Sequence, residues 1–136
     1  MPNWTNNEIT LRGDKEKLDA FKQRVAGESG AIDFNRLVPM PEHSETFYAD
    51  GPIGEEEQQK YGRNNWYDWS TEHWGTKWNA CRIETAEHDD TLVYNFDTAW
   101  DCPRPLVEPI ADLAHALGLT IGWECDHEDG GEETIL

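Results

Sequence analysis

Basic residues, cysteines and long apolar runs are all scarce in this sequence of 136 residues. Lysine and arginine together number 11 against 28 aspartates and glutamates, which gives a formal net charge of −17. A charge of this size opposes direct binding to nucleic acid and to anionic membranes, because both carry negative charge themselves. We therefore expect any macromolecular partner to be a basic protein.

The cysteines and histidines are too few and too scattered to predict a disulfide framework or a metal site. Cys81, Cys102 and Cys125 include no C-x-x-C pair, and the five histidines include no H-x-x-x-H pair. A zinc site would need ligands converging from separate loops, so we predict neither a metal nor a cofactor. No apolar run is long enough for a signal peptide or a membrane span, so we expect a chain without a leader in a reducing cytoplasm.

Tryptophan, by contrast, is abundant, and four of the seven tryptophans fall within residues 66–78. Trp66 and Trp69 are three residues apart and Trp74 and Trp78 are four apart, which is the spacing of one helical face. Gly75 stands where a left-handed residue would end a helix. The pattern predicts a short helix from about Trp66 to Trp74 that lies at the centre of the core, because each buried indole removes about 150–250 Å² from water.

Hydrophobic periodicity predicts the other elements. Strands are expected at 4–12, 80–85, 91–98 and 119–124, and the two main helices at 15–25 and 105–117. Residues 42–65 have the composition of a long surface loop with a helical turn near Glu55 to Tyr61. This order is the split βαβ, or ferredoxin-like, α+β plan: a four-stranded antiparallel sheet with two main helices on one face, here with an inserted Trp-rich helix. We expect one domain over residues 1–125 and an acidic tail over residues 126–136.

Four motifs carry a resemblance to a known family. They are Met1-Pro2-Asn3-Trp4, the segment 34–41 (FNRLVPMP), the segment 69–80 around Trp74-Gly75-Thr76-Lys77-Trp78, and the segment 96–103 (FDTAWDCP). In this order they resemble the YubB-type ferredoxin-like domain family of bacteriophages and conjugative plasmids. The resemblance implies a ferredoxin-like fold without an iron–sulfur cluster, no established activity, and the cytoplasm of a host bacterium as the location.

The first hypothesis for function is an acidic interaction protein from a mobile element. Its carboxylates would occupy a surface built for nucleic acid, and so block a basic host target such as a defence nuclease or a CRISPR effector. The candidate contact residues are acids that are clustered in the sequence: Glu55, Glu56, Glu57, Asp89, Asp90, Asp126, Glu128, Asp129, Glu132 and Glu133. The alternative explanation is that these acids serve solubility alone.

The second hypothesis is a small-ligand-binding or enzymatic module with a pocket near Lys77, Asp97 and Trp100. The structural alternative for Lys77 is that it enters the sheet opposite Asp97 and forms an ion pair that fixes strand pairing. The tryptophans of this motif, Trp69, Trp74 and Trp78, have a structural role in this hypothesis. No catalytic residue is predicted, because the sequence shows no Ser/His/Asp, Cys/His or paired-carboxylate unit.

Overall fold

The computed structural model describes residues 3–41, 54–61 and 65–136 of the chain. Most of the long loop predicted over residues 42–65 lies outside these ranges. The described residues form a mixed α+β structure with five strands and four α-helices. In chain order these are β1 (Trp4–Arg12), α1 (Lys15–Val25), α2 (Glu55–Tyr61), α3 (Trp66–His73), β2 (Cys81–His88), β3 (Thr91–Ala99), α4 (Arg104–Ala116), β4 (Thr120–His127) and β5 (Gly131–Thr134). No helix in the described ranges has the length and hydropathy that crossing a bilayer requires.

The strands form one open antiparallel sheet in the order β2-β3-β1-β4-β5. The prediction of four strands is wrong, because Gly131–Thr134 pairs with the end of β4 as a fifth strand. Gly131 has a φ of 92°, which lets the chain reverse after the turn. Glycine and glutamate are both poor strand formers, so sequence pattern alone assigned this segment to the tail.

Helices α1 and α4 pack on one face of the sheet and enclose the core. Inward residues of β1 and β3, such as Ile9, Leu11 and Phe96, belong to one buried cluster with residues of both helices, such as Phe21 and Ile110. The strands alternate as predicted, so every second side chain of β1 and β3 is buried. The prediction of two main helices on one face is confirmed for α1 and α4.

The Trp-rich segment packs in part as the sequence predicts: Trp69 and Trp74 are buried, whereas Trp78 lies outside the helix and is 37 % exposed. Trp69 and Trp74 are each only 4 % exposed and meet edge to face, with ring centroids 5.4 Å apart. The Trp74 indole N–H donates to the carbonyl of Val38 at 2.8 Å, which fixes the preceding loop. Gly75 has a φ of 76°, and a Cβ there would stand 2.6 Å from the ring of Pro105. The turn therefore requires glycine both for its backbone conformation and for its close contact with α4.

A polar residue, Asn7, lies fully buried at the centre of the sheet. Its amide nitrogen donates to the carbonyl of Thr5 at 3.2 Å and to the hydroxyl of Thr98 at 3.0 Å. Its amide oxygen accepts from the indole N–H of Trp123 at 3.1 Å and from the thiol of Cys125 at 3.2 Å. One side chain thus links the three central strands, β3, β1 and β4.

We expect Tyr94→Phe to raise the free energy of unfolding by about 1 kcal/mol, measured by urea denaturation. The Tyr94 hydroxyl is buried and meets no hydrogen-bond partner among the described residues. Burial also raises the pKa of Tyr94 above its ordinary value. The phenol of the unfolded chain ionises near pH 10, whereas that of the folded chain stays protonated. The free energy of unfolding therefore falls as the pH rises above about 10, and it falls less in Tyr94→Phe, which has no phenol at this position. A less stable variant would contradict this account.

Candidate functional site

The face of the sheet opposite α1 and α4 is open to solvent within the described part of the chain, and it is acidic. Strand register places several rows of outward side chains across it, including two neighbouring rows, those of Asn6 and Glu8. Carboxylates dominate both rows, which we call the acidic face: Glu8, Glu84, Asp97, Glu124, Asp126 and Glu132. Five of the six are exposed, and Asp97 is half-buried. The rows are about 6.6 Å apart along the strands, since two residues separate them.

Two pairs of carboxylates on the acidic face lie directly opposite each other on neighbouring strands. Glu8 of β1 stands opposite Glu124 of β4, and Asp126 of β4 stands opposite Glu132 of β5. Directly opposed side chains have Cβ atoms about 4.5–5.5 Å apart, and like charges at this distance destabilise a sheet. Without a partner, the folded chain therefore contains two adjacent pairs of carboxylates that repel each other and that its packing does not require.

Shallow depressions follow the acidic face. One of about 200 Å³ is lined by both opposed pairs, Glu8 with Glu124 and Asp126 with Glu132. A second, of about 410 Å³, continues toward the aromatic side chain of Trp4. It is lined by Trp4, Asn6, Asp97, Asp126, His127 and Glu128. This part of the face thus carries shallow depressions and not a single deep pocket.

Arg82 partly neutralises one end of the acidic face. A bulge in β2 between Cys81 and Glu84, where Arg82 has a φ of 50°, directs this side chain over the sheet. Its Nε donates to Asp97 at 2.6 Å, and its guanidinium lies 4.3 Å from the ring centroid of Trp4. The predicted ion pair of Asp97 with Lys77 is therefore wrong, because Arg82 provides the cation that pairs with Asp97.

An aromatic group borders this end of the face. Trp78 and Trp100 are 37 % and 40 % exposed, and Trp78 lies 5.9 Å from Trp4 between ring centroids. The Lys77 ammonium lies 4.7 Å from the Trp78 ring centroid and 6.0 Å from that of Trp100. Trp100 has a φ of 78°, a left-handed conformation that is strained for a bulky residue. Strain of this kind is concentrated at functional positions.

The predicted contact acids do not all meet. Asp126 and Glu132 lie on the acidic face, and Glu128 and Asp129 follow at the β4–β5 turn. Asp89 and Asp90 form the exposed turn between β2 and β3. Glu55 and Glu56 are exposed on α2, and the side chain of Glu57 lies outside the described residues.

Glu133 points to the opposite face of the sheet from Glu132. Its carboxylate accepts two hydrogen bonds from Arg104, at 2.7 and 2.8 Å. The Arg104 hydrogen bonds, together with one from His127, lower the pKa of Glu133 to about 2. This carboxylate is therefore already paired inside the molecule and is less available to a partner than Glu132.

The residues of the predicted pocket are divided between two places. Lys77 lines a depression of about 280 Å³ with Asn65, Trp66 and Tyr67, whereas Asp97 lines the depression that also contains Trp4. Trp69 and Trp74 are buried in the core. Only Trp78 and Trp100 of the motif present large apolar surfaces to solvent.

Comparison with known proteins does not assign the chain to a family. No family model, curated protein or solved structure matches the chain. The function must therefore be argued from the chemistry of the acidic face, the aromatic group and the remaining side-chain clusters.

Sequence reasoning missed Glu8, Glu84 and Glu124 as members of the face. The alternation in β1 does predict that Glu8 points away from the core. The sequence contains no signal that Glu8 and Glu124 are opposite each other, because that contact depends on strand order and register. Among the described residues, one further group has metal-binding atoms close together, formed by Asp101, Cys102 and His127.

Proposed function

We propose that this chain is an acidic interaction protein that binds and blocks a basic protein through its acidic face. The observation that carries the proposal is the pair of opposed carboxylate contacts, Glu8 with Glu124 and Asp126 with Glu132. Natural sequences tend to break local rules where function requires it. Lysine or arginine side chains of a partner would enter between these carboxylates and convert two repulsions into attractions.

The aromatic group adds the apolar anchor that such an interface needs. Charge complementarity gives fast and selective association, whereas most of the affinity comes from a few buried aromatic and arginine residues. Trp78 and Trp100 are exposed, and Trp4, which contacts Trp78, lines a depression together with carboxylates of the sheet. The combined surface therefore supplies both steering and anchoring.

The expected partner is a protein surface that itself binds nucleic acid. Rows of carboxylates on a sheet resemble a phosphate backbone in charge, so they suit a groove lined by lysine and arginine. Direct binding of nucleic acid is disfavoured by the same charge. The resemblance to a family of phages and plasmids favours a host defence nuclease or CRISPR effector, with nucleic-acid mimicry as the mode of blocking.

The fold supports the same proposal. Within the sheet, the order β4-β1-β3-β2 agrees with a ferredoxin-like plan. The chain order β1-α1-β2-β3-α4-β4 agrees as well, with α2 and α3 inserted before β2 and with β5 added as an edge strand. In related four-stranded α+β sheets the open face is the one that binds single-stranded RNA. We propose a ferredoxin-like domain in which carboxylates occupy that face.

The pocket hypothesis has less support. An enzyme or ligand module that uses Lys77 with Asp97 needs both side chains in one cavity, and they line separate depressions. Asp97 is also engaged by Arg82 and by the amide of Asn6. We therefore argue function from the acidic face.

A pull-down from a bacterial host lysate at low and at high salt tests the proposal. We expect the tagged protein to retain a basic, nucleic-acid-binding protein at low salt and to release it at high salt, because the attraction is screened. Double-stranded DNA added to the lysate should compete with the chain for that protein. The variant Glu8→Gln/Glu124→Gln should retain at least about 10-fold less of it, since it removes charge at the centre of the face.

The matched control is Glu108→Gln/Asp112→Asn, which changes net charge by the same amount on the exposed side of α4. This control should retain the partner as the unmodified protein does. Equal loss in both double variants would show that net charge alone acts, and retention indifferent to salt and to DNA would contradict the proposal.

A further inference from the structure

Three residues with different metal-binding atoms converge at the end of the sheet where β3 and β4 flank β1. Asp101 and Cys102 precede α4, and His127 is the last residue of β4. The sequence separates His127 from the other two by 25 residues or more, yet one ligand atom of each lies within 4.8 Å of the others. Strand register explains the contact, because Thr5 of β1 pairs with both Thr98 and His127.

Two of the three distances between the ligand atoms are close to those of a tetrahedral metal site. The Cys102 Sγ lies 3.4 Å from Oδ1 of Asp101, and Nδ1 of His127 lies 3.9 Å from the same oxygen. Bonds of about 2.0–2.3 Å from zinc to nitrogen, oxygen and sulfur place tetrahedral ligands about 3.3–3.7 Å apart. All three ligand atoms lie within 4.8 Å of one another. Side-chain adjustments of about 1 Å would bring them to the tetrahedral spacing.

Neighbouring residues orient the His127 ring for metal binding. Nε2 of His127 lies 3.0 Å from a Glu133 oxygen, so the tautomer with its proton on Nε2 donates to that carboxylate. Nδ1 then carries the lone pair and faces the Thr5 hydroxyl at 3.1 Å and Asp101. A histidine whose outer nitrogen donates to a carboxylate is the common arrangement behind metal-bound histidines.

Arg104 holds the two carboxylates in place. It donates to Asp101 from Nε at 2.9 Å and from Nη2 at 3.2 Å, and it donates to Glu133 through both terminal nitrogens. The carboxylates of Asp101 and Glu133 and a Cys102 thiolate would together carry three negative charges. These three negative charges equal the total positive charge of the Arg104 guanidinium and one divalent cation.

We propose that Asp101, Cys102 and His127 bind a divalent transition-metal ion of the zinc class. Sulfur and imidazole ligands select zinc-like ions over calcium and magnesium, which prefer oxygen alone. Three protein ligands leave a fourth position for water or for a group of a partner. Cys102 is buried and Asp101 is partly exposed, so the ion reaches its ligands from the solvent side of Asp101.

Titration of the reduced full-length protein with Co²⁺ tests the site. We expect one equivalent to bind with tetrahedral ligand-field bands and a thiolate-to-cobalt charge-transfer band, and we expect Zn²⁺ to displace it. Cys102→Ser should abolish the charge-transfer band, and His127→Gln should weaken binding at least about 100-fold. Glu133→Gln, which removes the orienting carboxylate, should weaken binding about 10- to 100-fold.

Two control variants leave the site intact. Cys81→Ser and His88→Gln change a cysteine and a histidine elsewhere on the molecule and should bind Co²⁺ as the unmodified protein does. Circular dichroism without metal identifies any variant that fails to fold. If Cys102→Ser does not fold, Asp101→Asn replaces it as the test of the site, because this change is at a partly exposed side chain. Absence of the charge-transfer band, or its loss in Cys81→Ser, would overturn the proposal.

Discussion

Replacing Asn7 by alanine is expected to lower the free energy of unfolding by about 3 kcal/mol. The change removes the acceptor of the Trp123 indole N–H and of the Cys125 thiol, and it leaves both buried. It also removes the donor to Thr98 on β3. A buried donor without a partner costs about 1–3 kcal/mol, and the lost side-chain volume adds a cavity. Urea denaturation at neutral pH measures the effect.

The neighbouring asparagine provides the control. Asn6 lies on the open face, where it exchanges hydrogen bonds with Asn95 and donates to Asp97 in a half-buried setting. Asn6→Ala should cost no more than about 1 kcal/mol, because water can replace its partners. Similar losses for the two variants would show that the buried network contributes nothing beyond ordinary surface hydrogen bonds.

Asn7 also shows why the fold was largely predictable and its polar centre was not. The alternation of Ile9 and Leu11 predicts β1 and its buried face, and the structure confirms it. The same alternation, followed back toward the N-terminus, places Asn7 and Thr5 on the buried face. Taken one at a time, however, polar residues are usually exposed. Most of the partners that satisfy the amide, Trp123, Cys125 and Thr98, come from distant segments of the chain.

The acidic face could not be predicted from local composition. Clusters such as 55–57 and 126–133 attract attention because their acids are adjacent in the sequence. The face is formed instead by single acids at alternate positions of separate strands, for example Glu8 and Glu124. Its assembly depends on strand order and on register, which the packing of the buried face fixes. The fifth strand was missed for a related reason, since pairing with β4 and not propensity orders Gly131–Thr134.

The double variant Glu124→Lys/Asp126→Lys is expected to stabilise the fold and, on the proposed function, to weaken partner binding. One new ammonium would stand opposite Glu8 and the other opposite Glu132, so two repulsive contacts become attractive. Each cross-strand pair of opposite charge contributes about 0.2–1 kcal/mol, so we expect a gain of about 1–2 kcal/mol in the free energy of unfolding. Association with the protein retained in the pull-down should slow by about 100-fold at low salt, because electrostatic steering is lost.

The two measurements together separate function from solubility. If the acids served solubility alone, the double lysine variant would be more stable and would bind any partner unchanged. If the face is the binding surface, stability and affinity move in opposite directions, and the loss of affinity shrinks as salt rises because steering is screened. Replacing Glu108 and Asp112 by lysine changes net charge by the same amount away from the face, and it should leave association unchanged. A stabilised variant whose binding is intact would contradict the proposed function, because it would show that the repulsion between the strands is not retained for a partner.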